Sequence, residues 1–260
     1  MPFSSKKINI RYIANSGVLI ANKEKKVLLD GLHITFVKPY FSVDDATLEQ
    51  IILSKAPYDK IDLMLFTHHH LEHFDAYTVC ETLKKNRFTQ LIATPTITKL
   101  LKESTNFDPV IISQINNFEI PRGKSIIANI KNLPVEIIAM RHDGEKYKNI
   151  ENFSYFFELG STTFFHCGDS APIYKNFEEC NIFNKKIDIL MVPFPFMGLR
   201  EGRRIIEEIN PKQLIVMHLP DKKHDDENYL FNTIQAYKEN EKMFPQTDFL
   251  TAPGQEILIK

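Results

Sequence analysis

The segment that follows the apolar run Ile61–Phe66 carries the side chains best suited to chemistry in this sequence. It contains His68, His70 and His73, with Glu72 between the last two. Neutral imidazole and carboxylate groups are the ligands that Zn²⁺ and neighbouring divalent ions prefer. His68 and His70 point to one side of an extended loop, whereas Glu72 and His73 stand where a helix would begin and face a second point nearby. The segment therefore predicts two adjacent metal sites; a solvated polar loop is the alternative when the segment is taken alone.

The elements that must position these side chains are short strands and amphipathic helices. Ile61–Phe66 is a continuous apolar run of strand length, typical of a strand that is buried on both faces. Asp44–Ser54 carries apolar residues at helical spacing, with Asp44 or Asp45 as its N-terminal cap. Further strands are predicted at Ile8–Ile13, Val18–Ala21, Lys25–Leu29, Leu91–Ala93, Ser125–Ile130, Val135–Met140, Ser154–Glu158, Thr162–His166, Ile187–Val192, Gln213–Met217 and Glu256–Ile259, and further helices at Ala76–Lys85, Thr96–Glu103, Tyr174–Cys180, Leu199–Ile209 and Glu227–Glu241.

The order of these elements predicts the fold class. Each half of the chain runs from strands to helices, and no linker rich in Pro, Ser or Gly separates the halves. We expect a single domain over residues 1–260, with two β-then-α halves that meet near residues 120–125. The expected class is α/β (α+β), a four-layer αββα sandwich in which two mixed sheets pack together and helices cover the outer faces.

Composition and charge exclude several classes of protein. The chain has 260 residues, of which 43% are hydrophobic and 25% charged, so it can bury a large core and is neither disordered nor a coiled coil. Its formal net charge of −1 does not indicate binding to nucleic acid or to an anionic membrane. The three cysteines form no CxxC pair, which favours a reducing compartment. With no secretory signal and no apolar run near the ~18 residues of a membrane span, we expect a cytoplasmic protein.

Motifs along nearly the whole chain resemble those of one family. The segment from His68 to His73 resembles the signature of the metallo-β-lactamase-fold hydrolase superfamily, which is His-x-His-x-Asp-His after a buried strand. Residues 15–20 and 27–31 are similar to the family's first sheet. The later landmarks follow in the expected order, each at or just beyond a predicted strand: His142, Asp169 and His218.

Carried over position by position, the resemblance implies two divalent metal ions, with Zn²⁺ as the default and Mn²⁺ or Fe²⁺ also suited to the carboxylates. It implies that Asp169 bridges both ions and orients the nucleophile, so that Asp169 and Glu72 are the catalytic carboxylates. The implied ligands of the first metal are His68, His70 and His142, and those of the second are Glu72, His73 and His218, with Asp169 shared.

Glu72 departs from the family pattern, which has aspartate at this position. The additional methylene moves the carboxylate by about 1.5 Å if the backbone stays in place, more than the ~0.2 Å tolerance of coordination distances. Either the loop retracts, or Glu72 binds through another rotamer, or the second site is weak. His70 stands where the family's di-iron redox branch has a carboxylate, which favours the hydrolases.

The implied reaction is hydrolysis. Two divalent ions lower the pKa of a shared water and present hydroxide at neutral pH. We therefore expect a metal-bridged hydroxide that attacks an ester-like bond, a phosphoester or lactone, of a small metabolite. The alternatives are a phosphodiesterase or nuclease on the same dinuclear site, or a metal-binding protein with weak catalysis. Residues 201–218 resemble the branch that contains ascorbate-phosphate lactonase and N-acyl-phosphatidylethanolamine phospholipase D, and no nucleic-acid partner is expected.

Three further features have two interpretations each. Asp30, after an early strand, either hydrogen-bonds a ligating imidazole or forms a strand-end turn. His69 points away from its neighbours in an extended loop and is either solvated or supports the ligands from behind. The apolar segment Pro193–Gly198 reads as a stiff loop that either walls a substrate pocket or packs in the core.

Overall fold

The apolar runs of the sequence form two seven-stranded sheets in the computed structural model, which describes residues 7–259. Residues 1–6, which contribute to the predicted absence of a secretory signal, lie outside this range. The strands of the first sheet are, in spatial order, β14 (Glu256–Ile259), β1 (Ile8–Ala14), β2 (Gly17–Ala21), β3 (Lys26–Leu29), β4 (Leu63–Leu65), β5 (Gln90–Ala93) and β6 (Ile115–Asn117). From β3 to β6 the strands are parallel, so the carboxyl ends of β3 and β4 lie at the same edge.

The second sheet contains the later strands of the chain. In spatial order these are β13 (Gln246–Phe249), β12 (Gln213–Met217), β11 (Ile189–Pro193), β10 (Thr162–His166), β9 (Glu151–Leu159), β8 (Leu133–Arg141) and β7 (Ser125–Ile130). β10 to β13 are parallel to one another, and β9 is antiparallel to both β8 and β10. β8, β10 and β12 therefore run in the same direction and end at the same edge.

Seven α-helices are found in the described residues, and aspartate side chains cap the first two. Asp44 begins the first helix, where its side chain accepts a hydrogen bond from the Thr47 amide, and Asp75 does the same for Thr78 in the second. The helices are α1 (Asp45–Ile52), α2 (Ala76–Lys85), α3 (Pro95–Glu103), α4 (Tyr174–Glu179), α5 (Pro195–Gly198), α6 (Arg200–Ile209) and α7 (Tyr229–Glu239). Short 3-10 turns lie at Pro109–Gln114, Glu145–Tyr147, Ile182–Asn184 and Glu241–Met243.

Three apolar cores hold the layers together. Side chains of both sheets meet in the central core, as Ile20 and Phe157 do. The outer face of the first sheet packs against α1–α3 through residues such as Val79. The outer face of the second sheet packs against the later helices through residues such as Phe177. The order of layers is helices, sheet, sheet, helices, so the predicted α/β class with an αββα sandwich is confirmed.

The chain crosses from one sheet to the other between Asn117 and Ser125, and β14 then returns to pair with β1. The assignment of residues 1–260 to a single domain stays a prediction. Among residues 7–259, no helix combines the length and the apolar character that a bilayer crossing requires. Cys80, Cys167 and Cys180 are free thiols, and all are buried.

Two strands and one α-helix were not predicted from the sequence, nor were the short 3-10 turns. β6 and β13 are short and carry Asn, Gln and Asp, which are depleted in strands, so neither forms an apolar run. The prediction of a stiff loop over Pro193–Gly198 is wrong, because β11 includes Pro193 and Pro195 opens the short helix α5. A proline at the first helical position removes no intrahelical hydrogen bond and presets the backbone angle that the helix needs.

Candidate metal centre

Four strand ends bring the sequence-predicted ligands to one place. β4 leads through Thr67 into the histidine-rich loop of the first sheet. In the second sheet His142 directly follows β8, Asp169 lies in the turn after β10, and His218 directly follows β12. The two sheets are joined at this edge, where the Phe153 amide donates to the Thr67 carbonyl at 2.9 Å. Because these strands end at the same edge, residues that are distant in sequence lie together in one site.

The carboxylate of Asp169 occupies the centre of the site. Its Oδ2 lies 3.1 Å from His218 Nε2 and 3.4 Å from His73 Nε2. The same oxygen lies 3.8 Å from His68 Nε2 and 3.9 Å from His142 Nε2. One carboxylate oxygen thus faces four imidazoles that come from three different loops.

The ligand atoms form two groups, and within each group all of them lie within 4.8 Å of one another. Both groups are largely buried, and they adjoin through the Asp169 carboxylate. We define cluster 1 as His68, His70, His142 and Asp169, and cluster 2 as Glu72, His73 and His218. All seven sequence-predicted ligands are therefore brought together, and His69 belongs to neither cluster.

Hydrogen bonds behind three of the histidines leave the other ring nitrogen of each directed at the centre. His142 Nδ1–H donates to the Asp143 carbonyl at 2.6 Å, and His73 Nδ1–H donates to Asp30 Oδ2 at 2.9 Å. His68 Nδ1 lies 3.0 Å from the Thr67 hydroxyl. A proton held on Nδ1 leaves the Nε2 lone pair free for a metal.

Three buried ligand atoms of the centre have no hydrogen-bond partner among the described residues. They are Nε2 of His142, Nε2 of His218 and Oδ1 of Asp169. Buried polar atoms are nearly always paired, so such orphaned atoms require an explanation. Imidazole nitrogens and a carboxylate that converge within 4.8 Å of one another fit a divalent cation, and the donor set suits Zn²⁺.

Asp30 supports both clusters from behind. Its carboxylate accepts hydrogen bonds from the Thr67 amide at 2.8 Å, from the Thr67 hydroxyl at 2.6 Å and from His73 Nδ1. Because the Thr67 hydroxyl donates to Asp30, it accepts from His68 Nδ1, and a single buried carboxylate fixes one imidazole of each cluster. The structure therefore favours the orienting role of Asp30 over a simple strand-end turn.

The profile of the family described as the beta-lactamase superfamily domain matches residues 39–219, which contain every member of both clusters. The chain belongs to this family. The match spans more than half of the chain, from the segment before α1 to the residue after His218.

Individual relatives agree with this family and with the fold. The chain is 22% identical over 224 residues to a UPF0173 metal-dependent hydrolase from Pyrococcus furiosus, covering 81% of this chain and 84% of that protein. The structure of the metallo-β-lactamase fold protein YhfI from Bacillus subtilis matches with a TM-score of 0.60 at 15% identity over 98% of this chain and 100% of that one. Igni18, a metallo hydrolase from Ignicoccus hospitalis, matches with a TM-score of 0.58 at 11% identity over 98% and 99% of the two chains. At these identities the two structures establish the metallo-β-lactamase fold.

In the histidine-rich loop, the surroundings keep His68 and His70 neutral and His73 charged. Burial lowers the pKa of His68 well below its ordinary value, and burial lowers the pKa of His70 to about 4. Burial also opposes the charged form of His73, but the Asp169 and Asp30 carboxylates outweigh it and raise the pKa of His73 well above its ordinary value. Burial would raise the pKa of Asp169, yet His218 and His73 hold that pKa well below its ordinary value. His73 and Asp169 thus form an ion pair when no metal separates them.

Glu72 reaches the centre from a fixed backbone. The Asn15 side-chain amide donates to the Glu72 carbonyl at 2.9 Å, which anchors the loop. The Glu72 carboxylate lies within 4.8 Å of the ligand nitrogens of His73 and His218, and 4.0 Å from His70 Nδ1. The longer side chain therefore reaches the other two members of cluster 2 without a shift of its backbone.

Two ligands depend on unusual backbone conformations. Gly168, just before Asp169, has a φ of +54°, and a Cβ there would lie 2.6 Å from Asn152 Oδ1 and 2.9 Å from Thr67 Cβ. Only glycine lets the turn pass between the two sheets at this point. His218 has a φ of 58°, a left-handed conformation that is uncommon for residues other than glycine and concentrates at functional sites.

Sequence reasoning missed three residues beside the centre. The Tyr40 ring stands edge-on to His218 at 4.2 Å, and the Tyr147 ring lies 4.8 Å from that of His70. His33 is fully buried, and burial lowers its pKa to about 4. The sequence position of Tyr147, in the turn after His142, could have indicated that it lies near the centre. No sequence pattern around Tyr40 or His33 indicates that either residue lies there.

The centre opens into a cavity of about 310 Å³ that we call the metal pocket. Its walls include ligands of both clusters together with Lys38, Tyr40 and Tyr147. Pro193, Phe194 and Pro195 complete the wall, so this segment lines a pocket at the centre, one of the two roles expected for it.

Proposed function

We propose that this protein hydrolyses an ester-like bond, a phosphoester or a lactone, in a small metabolite, with two divalent metal ions held by clusters 1 and 2. Zn²⁺ is the ion that the imidazole-rich donor set favours. The family and the metal-dependent hydrolase from Pyrococcus furiosus support the coarser statement that the chain is a metal-dependent hydrolase. The observation that carries the proposal is the Asp169 Oδ2 atom, which faces imidazoles of both clusters at 3.1–3.9 Å.

Two roles are proposed for these residues: to hold the metal ions and to orient the nucleophile. When bound, a pair of divalent ions lowers the pKa of a water between them and stabilises charge that develops on the attacked oxygen. His68, His70 and His142 would hold one ion, and Glu72, His73 and His218 the other. Asp169 would join the two sites and orient the nucleophile. In the net reaction the hydroxyl of water goes to the acyl or phosphoryl group, and its hydrogen goes to the leaving oxygen.

The surroundings of the site support a small substrate. The metal pocket is enclosed by the rings of Tyr40, Tyr147 and Phe194, and its volume lies at the lower end of the range for small-molecule sites. The free, buried cysteines support a reducing compartment, and we propose the cytoplasm as the place of action.

The experiment combines metal content with turnover. Protein purified without chelator is assayed by elemental analysis, and the metal-loaded enzyme is offered bis-p-nitrophenyl phosphate and a panel of lactones. We expect two divalent ions per chain and turnover of one of the two substrate classes. Turnover of neither class after full loading would contradict hydrolysis and favour a metal-binding protein with weak catalysis.

A matched pair of variants tests whether turnover depends on the metal centre. His142→Ala removes a member of cluster 1, and His69→Ala removes a neighbouring imidazole that belongs to neither cluster. We expect His142→Ala to lose both metal and turnover, and His69→Ala to keep both. Equal behaviour of the two variants would contradict the assignment of the centre.

A further inference from the structure

A second cavity of about 430 Å³ adjoins the metal pocket. It lies between Tyr40, the short helix α5 and the first turns of α7, and we call it the apolar groove. Its lining residues include Leu199, Tyr229 and Thr233, and none of the described residues that line it is charged. The metal pocket, by contrast, is lined by Lys38 and by six carboxylates or imidazoles, five of which belong to clusters 1 and 2.

The apolar groove and the metal pocket share one wall. Tyr40, Phe194 and Pro195 line both cavities. The Tyr40 ring packs edge-on against the ring of His218, and Tyr40 also lines the groove. A ligand with its reacting group at the clusters can therefore extend directly past Tyr40 into the groove.

The groove walls are held in place before any ligand arrives. The Phe194 and Tyr229 rings pack at 5.4 Å, which joins α7 to the end of β11. Arg203 Nη1 donates to the Met197 carbonyl at 3.0 Å and to the Gly198 carbonyl at 2.8 Å, which fixes the C-terminal end of α5. A preformed groove lets burial of a ligand contribute to affinity without first ordering the protein.

The groove also exposes apolar surface that a ligand would cover. Leu199 is 50% exposed and Tyr229 is 42% exposed, although both lie beside a buried site. Covering such surface is favourable in proportion to the apolar area removed from water. An amphipathic ligand, polar at one end and apolar at the other, matches the two adjoining cavities.

We propose, on the basis of the function proposed above, that the substrate carries a medium-length apolar tail, an acyl or alkyl chain, that binds in the apolar groove while its ester-like bond lies at the metal centre. Tyr40 marks the junction between the two parts. Leu199 and Tyr229 select for the tail, and the clusters act on the head group.

The first test measures binding without turnover. Acetate, butyrate, hexanoate and octanoate are titrated by calorimetry into the metal-loaded protein, so that the carboxylate head stays constant and only the tail grows. We expect affinity to rise about twofold to fourfold for each methylene that enters the groove. An affinity that does not depend on chain length would overturn the proposal.

The variant for this test is Leu199→Asn. Leu199 is the N-terminal cap of α6, a position that asparagine favours, so the variant removes apolar surface from the groove without weakening the helix. We expect the dependence on chain length to flatten while acetate binds as before. Phe231→Asn is the control, because Phe231 is 66% exposed on α7 and does not line the groove. A Leu199→Asn protein that keeps the full chain-length dependence would overturn the proposal.

A fluorescent reporter separates this inference from the proposed reaction. The chain has no tryptophan, so Tyr229→Trp places a single indole in the groove, and Phe231→Trp places one outside it. We expect octanoate to shift the emission of the first protein to the blue and to leave the second unchanged. Equal responses would overturn the tail site. A response of Tyr229→Trp alone, in protein that hydrolyses neither substrate class, would uphold the tail site and contradict the proposed reaction.

Discussion

Clusters 1 and 2 meet at Asp169 but differ in their donors and in what supports them. Cluster 1 has three imidazoles beside the shared carboxylate, whereas cluster 2 has two imidazoles and the carboxylate of Glu72. Asp30 supports cluster 2 directly, because His73 donates to this fully buried carboxylate, whereas it supports cluster 1 only through the Thr67 hydroxyl; the backbone of Glu72 is also held by Asn15.

Because of this difference, the metal affinities of clusters 1 and 2 should depend on different features of the structure. In the proposed two-metal centre, the affinity of cluster 1 depends mainly on its three imidazoles. The affinity of cluster 2 depends mainly on the network that positions a donor set in which the Glu72 carboxylate stands in place of a third imidazole. Substitutions in the ligands and in the network should therefore affect the two clusters unequally.

The largest effect is expected from His142→Ala, which removes one of the three imidazoles of cluster 1. Hydrolysis should fall by more than the about 10- to 100-fold that is typical of groups that only orient a ligand. Elemental analysis should show the loss of at least one ion per chain alongside the loss of kcat/KM. If the variant keeps two ions, His142 is not a ligand and cluster 1 is wrongly assigned.

Asp30→Asn tests the network behind cluster 2. The neutral amide no longer stabilises the required orientation of His73, so metal affinity at cluster 2 should fall by about 10- to 100-fold. The loss at cluster 1 should be smaller, because Asp30 reaches His68 only through the Thr67 hydroxyl. Competition with a chelating dye measures this affinity. A closely matched control is Asp188→Asn, because Asp188 accepts from the amide and hydroxyl of Thr163 much as Asp30 does with Thr67, but precedes β11 at the opposite edge. Equal losses of affinity in both variants would indicate a general destabilisation rather than a role at cluster 2.

Glu72→Asp tests the reach of the carboxylate. The shorter side chain withdraws the oxygen by about 1.5 Å, so we expect cluster 2 to bind its ion about tenfold more weakly while cluster 1 is unaffected. Glu72→Gln keeps the length and removes the charge. If Glu72→Asp binds metal as the natural protein does, the loop adjusts to aspartate and the anchoring by Asn15 is weaker than the structure suggests.

The smallest effect is the release of one proton. The carboxylates of Asp30 and Asp169 raise the pKa of His73 above its ordinary value, so at neutral pH His73 carries a proton in metal-free protein and must lose it to bind an ion. Calorimetry in buffers of different ionisation enthalpy should detect about one proton released as cluster 2 fills. Metal affinity at cluster 2 should rise with pH up to the pKa of His73 and then level off. No proton release at neutral pH would contradict the ion pair between His73 and Asp169.

The sequence alone predicts some ligands of the centre and not others, and the reason is physical. His68, His70, Glu72 and His73 lie in one loop, so their spacing alone indicates two adjacent metal points. His142, Asp169 and His218 are distant in sequence, and only the family resemblance singled them out.

Their convergence depends on long-range strand pairing. β8, β10 and β12 end at one edge because β9 pairs antiparallel with both β8 and β10, which no local pattern reveals. Tyr40 could not be found from sequence for the same reason. Its place beside His218 depends on long-range contacts such as the hydrogen bond from the Asp221 amide to the Pro39 carbonyl. The apolar groove likewise depends on α5, where two prolines suggested a loop.

The central claim is that two divalent ions lie on either side of Asp169, and anomalous X-ray scattering from crystals of protein purified with its metals tests it most directly. We expect two peaks about 3.5–4 Å apart, one beside His68, His70 and His142 and the other beside Glu72, His73 and His218. Strong peaks elsewhere, with none beside Asp169 in fully loaded protein, would contradict the account.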